Sequence, residues 1–293
     1  MDSVLPHVSL SFSSAPSLGA AYARALLTLR PALAPAGHAQ ALIEASLAGV
    51  KPSAARLAAY REVCGYAPGR SLPLTYPHVM AMPLHMAILT ASAFPVRLLG
   101  LVHVGNRILR YRQTGADQAL DLTCSLTAMR ETARGQEFDL VTEAACAGER
   151  AWAGTSTFLA RRRAAPRADT GLAAASLPVG MRTTLLPAAG DIGRRYARVS
   201  GDINPIHLSG WSARLFGFPQ AIAHGMWSLA RVAATIEAQE DRPLGILNCA
   251  FRLPVLLPAQ VQLHTWDEGA GCAYALTDEA GVRPHLGGAA QFG

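Results

Sequence analysis

From Leu120 to Thr127 apolar and polar side chains alternate, with Leu120, Leu122, Cys124 and Leu126 set against Asp121, Thr123, Ser125 and Thr127. Phe138, Leu140, Thr142, Ala144 and Cys146 alternate in the same way with Asp139, Val141 and Glu143. Successive strand side chains point to opposite faces, so both runs predict half-buried strands, joined by a turn over Ala133 to Gln136. Ala151 to Ala160, Val261 to Thr265, Cys272 to Thr277 and Val282 to Phe292 predict further strands. Two other stretches, Val79 to Val96 and His224 to Ile236, are apolar on nearly every face and predict buried helices. A helix followed by several antiparallel strands, twice over, puts the chain in the α+β class. Residues 1–50 are alanine-rich and read as a helix-prone N-terminal extension with no assigned role.

The pattern repeats along the chain. Tyr60, Val63, Cys64, Gly65 and Tyr66 have the spacing of Tyr196, Val199, Ser200, Gly201 and Asp202. Leu99, Gly100, Leu101, Arg107 and Ile108 have that of Leu244, Gly245, Ile246, Arg252 and Leu253, and His85 with Met86 falls opposite His224 to Met226. The expected organisation is therefore an N-terminal module over residues 51–163, an Arg-, Ala-, Pro- and Gly-rich linker over 164–180 and a C-terminal module over 181–293. The copies differ in one place that matters: Tyr66 stands where the second has Asp202, and Ala67 to Leu72 contains no histidine. The first copy is expected to be degenerate and catalytically silent.

Composition narrows the class. A chain of 293 residues, 51% of them hydrophobic, can bury one large core or two ordinary ones. The net charge is +6, with Lys51 the one lysine and every other basic residue an arginine, a balance suited to phosphorylated or acidic partners but not packed as in nucleic-acid binders. Cys64, Cys124, Cys146, Cys249 and Cys272 are scattered without metal-ligand spacing and read as small core residues of a reducing compartment. No basic start precedes a hydrophobic run at the N-terminus, so no secretory leader is expected and the expected location is cytoplasmic. Pro83, His85 and Pro95 interrupt the long apolar stretch of the first copy, which argues against a membrane span.

The chemistry is concentrated in Ser200 to His207. Asn204 and Pro205 favour a turn, so Asp202 and His207 converge across a loop rather than along a helix face. A carboxylate and an imidazole so placed can hold one water and exchange a proton near neutral pH. On spacing alone, a hydrogen-bonded structural turn is the commoner meaning of such a pair. Downstream, Gly225 opens the second apolar helix, and its amide, at the positive end of the helix dipole, is free to receive a developing oxyanion.

Taken together, Tyr196, Ser200, Gly201, Asp202, Asn204, Pro205, His207, Gly217, Ala223, His224, Gly225 and Met226 resemble the hydratase motif of the MaoC-like, (R)-specific type 2 enoyl-CoA hydratases and (3R)-hydroxyacyl-thioester dehydratases. The resemblance implies a double hotdog, each central helix wrapped by a curved antiparallel sheet. It implies a hydro-lyase that interconverts trans-2-enoyl and (3R)-3-hydroxyacyl thioesters of coenzyme A or acyl carrier protein, in fatty-acyl metabolism. In that family's pattern Asp202 and His207 are the catalytic pair, Asn204 supports them and Gly225 supplies the oxyanion-hole N–H. Ser200, Phe218, His224 and Met226 are candidates for contact with substrate, although core packing is the default for Met226 and backbone support an equal reading for Ser200 and His224. No metal or other cofactor is expected. A fused pair of modules removes the usual need for a hotdog dimer, so a homodimer is an option and not a requirement. Two other classes stay open at this point, a hotdog acyl thioesterase and a non-catalytic acyl-thioester binding protein.

Overall fold

The computed structural model describes residues 7–28, 30–35, 41–162, 178 and 180–293. The first module begins with β1 (His7–Phe12), α1 (Leu18–Leu27), β2 (Leu42–Val50), α2 (Ala54–Cys64), α3 (Tyr76–Met80) and α4 (Met82–Thr90). It continues with β3 (Leu101–Arg110), β4 (Leu120–Thr132), β5 (Gly135–Cys146) and β6 (Glu149–Arg161). The second comprises β7 (Arg182–Ala188), α5 (Ile192–Ser200), a 3₁₀ turn (Pro205–His207), α6 (Gly210–Arg214), α7 (Gly225–Glu240), β8 (Leu244–Phe251), β9 (Ala259–Glu268), β10 (Gly271–Asp278) and β11 (Pro284–Phe292).

All the strands join one sheet in the order β1-β2-β4-β5-β6-β3-β8-β11-β10-β9-β7. Its halves share one topology. In each, an outer strand (β2 or β7) leads through a buried helix (α4 or α7) to a central strand (β3 or β8), and a meander of three antiparallel strands runs back across. The central strands pair antiparallel with each other, Asn106 opposite Cys249 and Ile108 opposite Leu247, so one continuous sheet spans both copies. This is the double hotdog arrangement that the motif implies. The alternation that predicts β4 has its cause in the core: Leu120, Leu122, Cys124 and Leu126 are at most 1% exposed, because their face of the sheet lies against the core built around α4.

The helices also repeat. α2 and α5 each end on a glycine in the left-handed region, Gly65 at φ 76° and Gly201 at φ 82°. The buried helices differ in length: α7 runs for 16 residues and α4 for 9. The expected Val79–Val96 helix is in fact two short helices. α3 ends at Met80, Pro83 lies in the first turn of α4, and the chain leaves helical geometry at Ala91, ahead of Pro95. His85 therefore lies inside α4, whereas His224 precedes α7 as its N-cap, so the two are not structural equivalents.

Among the described residues of 1–50, the helix-prone reading holds only for α1. Residues 7–12 and 42–50 are strands, and β2 belongs to the first module's sheet, with Ile43 opposite Leu126 and Leu47 opposite Leu122. Burial of Ile43, Ala45 and Leu47 against the core outweighs the helix preference of an alanine-rich segment. Of the expected linker 164–180, only Pro178 and Gly180 are among the described residues. Among the described residues no helix is long and apolar enough to cross a membrane.

Candidate active site

The catalytic loop is built by local backbone chemistry. Gly201 ends α5 in a conformation that costs other residues about 1–2 kcal/mol, and its amide closes the helix on the Ala197 carbonyl at 2.8 Å. Asp202 then turns the chain: its Oδ1 accepts the Asn204 amide at 3.1 Å, an Asx turn. Pro205 pre-sets the 3₁₀ turn, and the Asn204 side chain caps it by accepting the Ile206 amide at 3.4 Å. Residues 221–224 run alongside. The Ile222 amide donates to the Ile206 carbonyl at 3.1 Å, which brings the Ile222 carbonyl to His207.

That carbonyl decides the chemistry of His207. It lies 2.8 Å from Nδ1 and can only accept, so Nδ1 carries the proton and Nε2 presents a lone pair. The same logic makes His224 Nε2 the donor to the Asp202 main-chain carbonyl at 3.0 Å, with Nδ1 a buried acceptor that has no partner among the described residues. The two imidazoles stack, centroids 3.7 Å apart. One polar atom from each of Asp202, His207 and His224 falls within a span of 4.8 Å, and no direct hydrogen bond joins the Asp202 and His207 side chains among the described residues. A single water bridges such a gap with ordinary hydrogen-bond lengths.

Electrostatics keeps the pair in its working forms. Burial pushes against the Asp202 carboxylate but is outweighed by the adjacent His224 and His207 rings, the Tyr22 hydroxyl and the Asn204 amide, so the group stays below the ordinary aspartate value. Burial lowers His207, against the opposing pull of Asp202 and the Ile222 carbonyl, so the imidazole is neutral at pH 7. His224 is pushed down to about 3 by burial and by His207.

Gly225 is the first residue of α7, and its amide has no partner inside the helix. A side chain there would crowd the Phe251 ring, 3.0 Å from an added Cβ, so glycine lets that ring pack close beside the start of α7. The remaining candidates spread out. Ser200 is fully buried and its Oγ accepts the Asp202 amide at 3.1 Å, which makes it a support of the loop. Met226 is buried in the core, and Phe218 is half-buried after α6. The structure adds two groups that sequence patterning did not offer. Phe251, at the end of β8, packs on Gly225 and on the His103 ring of the first module at 4.9 Å. Tyr22, on α1, donates its hydroxyl to Asp202 Oδ1 at 2.7 Å. It lies 180 residues from its partner, and no local pattern signals that contact.

In the first module the equivalent loop has no such chemistry. Tyr66, at the aspartate position, is buried, and its hydroxyl shares Thr75 Oγ1 with Tyr60 at 3.0 and 2.8 Å. His85 bonds Thr142 Oγ1 at 2.7 Å, and the His78 ring packs against it at a tilt of 58°, centroids 4.8 Å apart.

Comparison with known proteins places the chain's fold among solved relatives. Residues 181–279 match the MaoC like domain family. The chain is 36% identical over 239 residues to 3-hydroxyacyl-thioester dehydratase X of Mycobacterium tuberculosis, covering 79% of this chain and 83% of the relative. The crystal structure of that enzyme, HtdX, superposes with a TM-score of 0.73 at 33% identity, over 85% of this chain and 99% of HtdX. A MaoC-like dehydratase of Phytophthora capsici shares the fold at 16% identity, with a TM-score of 0.70 over 85% of this chain and 94% of that one. So does a conserved Mycobacterium tuberculosis protein described as a double hotdog, at 11% identity and a TM-score of 0.55, over 84% of this chain and 94% of that one.

Proposed function

The chain belongs to the MaoC-like dehydratase family, and from that footing we propose that Asp202, His207 and Gly225 add and remove water across C2 and C3 of an acyl thioester. The observation that carries this reading is a half-buried carboxylate and a tautomer-locked imidazole that share no direct hydrogen bond yet lie with a ligand atom of each within 4.8 Å. In hydration of a trans-2-enoyl thioester, Asp202 holds one hydrogen of the water and His207 Nε2 takes the other as the oxygen bonds to C3. Charge moves onto the thioester oxygen, where the Gly225 amide receives it. One such donor is worth about 3–4 kcal/mol of transition-state stabilisation. The proton on His207 passes to C2, the (3R)-3-hydroxyacyl thioester leaves, and dehydration is the reverse sequence.

Asn204 supports the pair through its amide and its cap. His224 holds the loop through the Asp202 carbonyl, and Phe218 and Met226 line the acyl site. The first module is the silent partner, and residues 181–293 hold the chemistry. The acyl carrier is coenzyme A or acyl carrier protein, and the five buried free cysteines support a reducing, cytoplasmic setting. A thioesterase would direct the same water at C1, and a non-catalytic binding protein would have no use for the pair.

Crotonyl-CoA and longer enoyl-CoA substrates test this directly, by loss of enoyl absorbance and the configuration of the product. The expected product is (3R), and Asp202→Asn and His207→Ala are each expected to lose at least about a hundredfold in rate. Release of free thiol, or a rate within a few-fold of the parent in either variant, would overturn the assignment.

A further inference from the structure

The two oxygens of Asp202 are unequal. Oδ1 accepts the Tyr22 hydroxyl at 2.7 Å and the Asn204 amide at 3.1 Å. Oδ2 has no hydrogen-bond donor among the described residues and lies 3.8 Å from His224 Nε2. A carboxylate with one oxygen doubly held cannot rotate freely about its Cβ–Cγ bond, so the other oxygen keeps one direction.

Tyr22 is not a surface side chain that happens to reach inward. It is 9% exposed and packs with Ala21 against Met86, with Leu18, Met82 and Leu98 around them. Leu18, one turn earlier on the same face of α1, lies against Gly201, where an added Cβ would strike it. Ser17 caps the helix, its Oγ accepting the Ala20 amide at 3.2 Å. Beyond the far end, Arg30 donates to the carbonyls of Phe94 at 3.0 Å and Thr90 at 3.3 Å, at the C-terminus of α4. The hydroxyl is thus aimed by a helix fastened on both sides. Packing alone needs only a phenyl ring there, and the oxygen is the part that meets Asp202.

Resting on the reading of Asp202 as catalytic, we propose that Tyr22 is a positioning residue of the hydratase site: its hydroxyl, with the Asn204 amide, pins Oδ1 so that Oδ2 is the oxygen presented to the water and to His207. The N-terminal segment thereby completes a site whose reacting groups all lie in the second module. The titratable groups facing Asp202 are Tyr22 on α1, Tyr196 on α5, His207 on the 3₁₀ turn and His224 at the start of α7, with His78 on α3 and His103 on β3 farther off. Burial holds all six uncharged at pH 7, raising the two phenols and lowering the four imidazoles. Tyr22 is the side chain among them that donates to the carboxylate, so removing its hydroxyl changes the carboxylate's hydrogen bonding without adding or removing a charge.

Tyr22→Phe and Leu18→Ala in the full chain separate the hydroxyl from the helix that carries it. Two readouts apply: the pH profile of crotonyl-CoA hydration, and the ¹³C NMR titration of the Asp202 carboxyl carbon in substrate-free protein. Tyr22→Phe is expected to lower kcat roughly tenfold at pH 7 with KM within about twofold, the size of one charge-assisted hydrogen bond. It is also expected to move the carboxyl titration to higher pH, and with it only that part of the kcat profile which Asp202 contributes on the acid side of the His207 limb. Leu18→Ala loosens the same helix, keeps the hydroxyl, and is expected to leave the limb and the titration at their parent positions. An unmoved carboxyl titration in Tyr22→Phe, a loss expressed through KM alone, or an equal shift in Leu18→Ala would overturn the role. Failure of the underlying site reading shows separately, as an Asp202→Asn variant as active as the parent, while the carboxyl titration judges the Tyr22 contact without any turnover.

Discussion

At the scale of single residues, pH is the most direct probe. Asp202 is held ionised and His207 neutral, and both working forms are lost by taking up a proton. The rate is therefore expected to fall on the acid side, with a limb below the ordinary histidine value of 6.5 because burial lowers His207. A limb centred above that value in a kcat/KM profile would contradict the buried neutral imidazole. Stability follows the same sign. His207, His224, His78, His85 and His103 are folded with depressed values, so each contributes stability that is full above 6.5 and is lost as pH falls towards the folded value, about 3 for His224 and His103 and about 4 for His78. Asp202, also depressed, adds its loss only below the unfolded value of 3.8. Urea midpoints are accordingly expected to drop between pH 7 and pH 5, before carboxylates titrate. A flat midpoint over that range would show these rings to be solvated.

At the scale of elements, the turn from α5 into the 3₁₀ segment depends on one glycine. Gly201→Ala puts a Cβ in the left-handed region and into Leu18, and is expected to cost about 1–2 kcal/mol, read as a lower denaturant midpoint. The expected loss of activity is larger than the loss of stability implies, because Asp202 is the next residue. Gly225→Ala acts differently. The helix accepts alanine, but the added Cβ would lie 3.0 Å from the Phe251 ring and the ring must give way beside the proposed oxyanion donor, so kcat is expected to fall while the midpoint stays within about 0.5 kcal/mol of the parent. Helices α4 and α7 extend the contrast: 9 residues against 16, with prolines flanking and entering the shorter one, leave the first module less helix at its centre.

At the scale of the molecule, the first module packs directly against the second. Trp227 of α7 donates its indole N–H to the Val63 carbonyl at 2.9 Å, Arg56 of α2 reaches the Val199 carbonyl at 2.7 Å, and β3 pairs along β8. Residues 181–293 expressed alone would present the β8 edge and the buried face of Trp227 to water, and are expected to aggregate. A soluble, active fragment would refute this. Tyr66→Phe removes a hydroxyl at the position matching Asp202 and is expected to cost about 1 kcal/mol of stability with activity within a few-fold of the parent, which distinguishes a packing role from a catalytic one.

Periodicity and local backbone rules by themselves determined β4, β5 and β6, the helix after His224, the repeat of topology and the loop that carries Asp202 and His207. Each of these depends on neighbours within a few residues, or on one buried face whose pattern the chain displays. Tertiary structure alone decided the rest. β2 is a strand because β4 lies beside it, and the His207 tautomer follows from a carbonyl 15 residues away. Tyr22 reaches Asp202 across 180 residues through the packing of α1 on α4 and Gly201, a contact set by where elements meet in space and carried by no periodic signal in the chain.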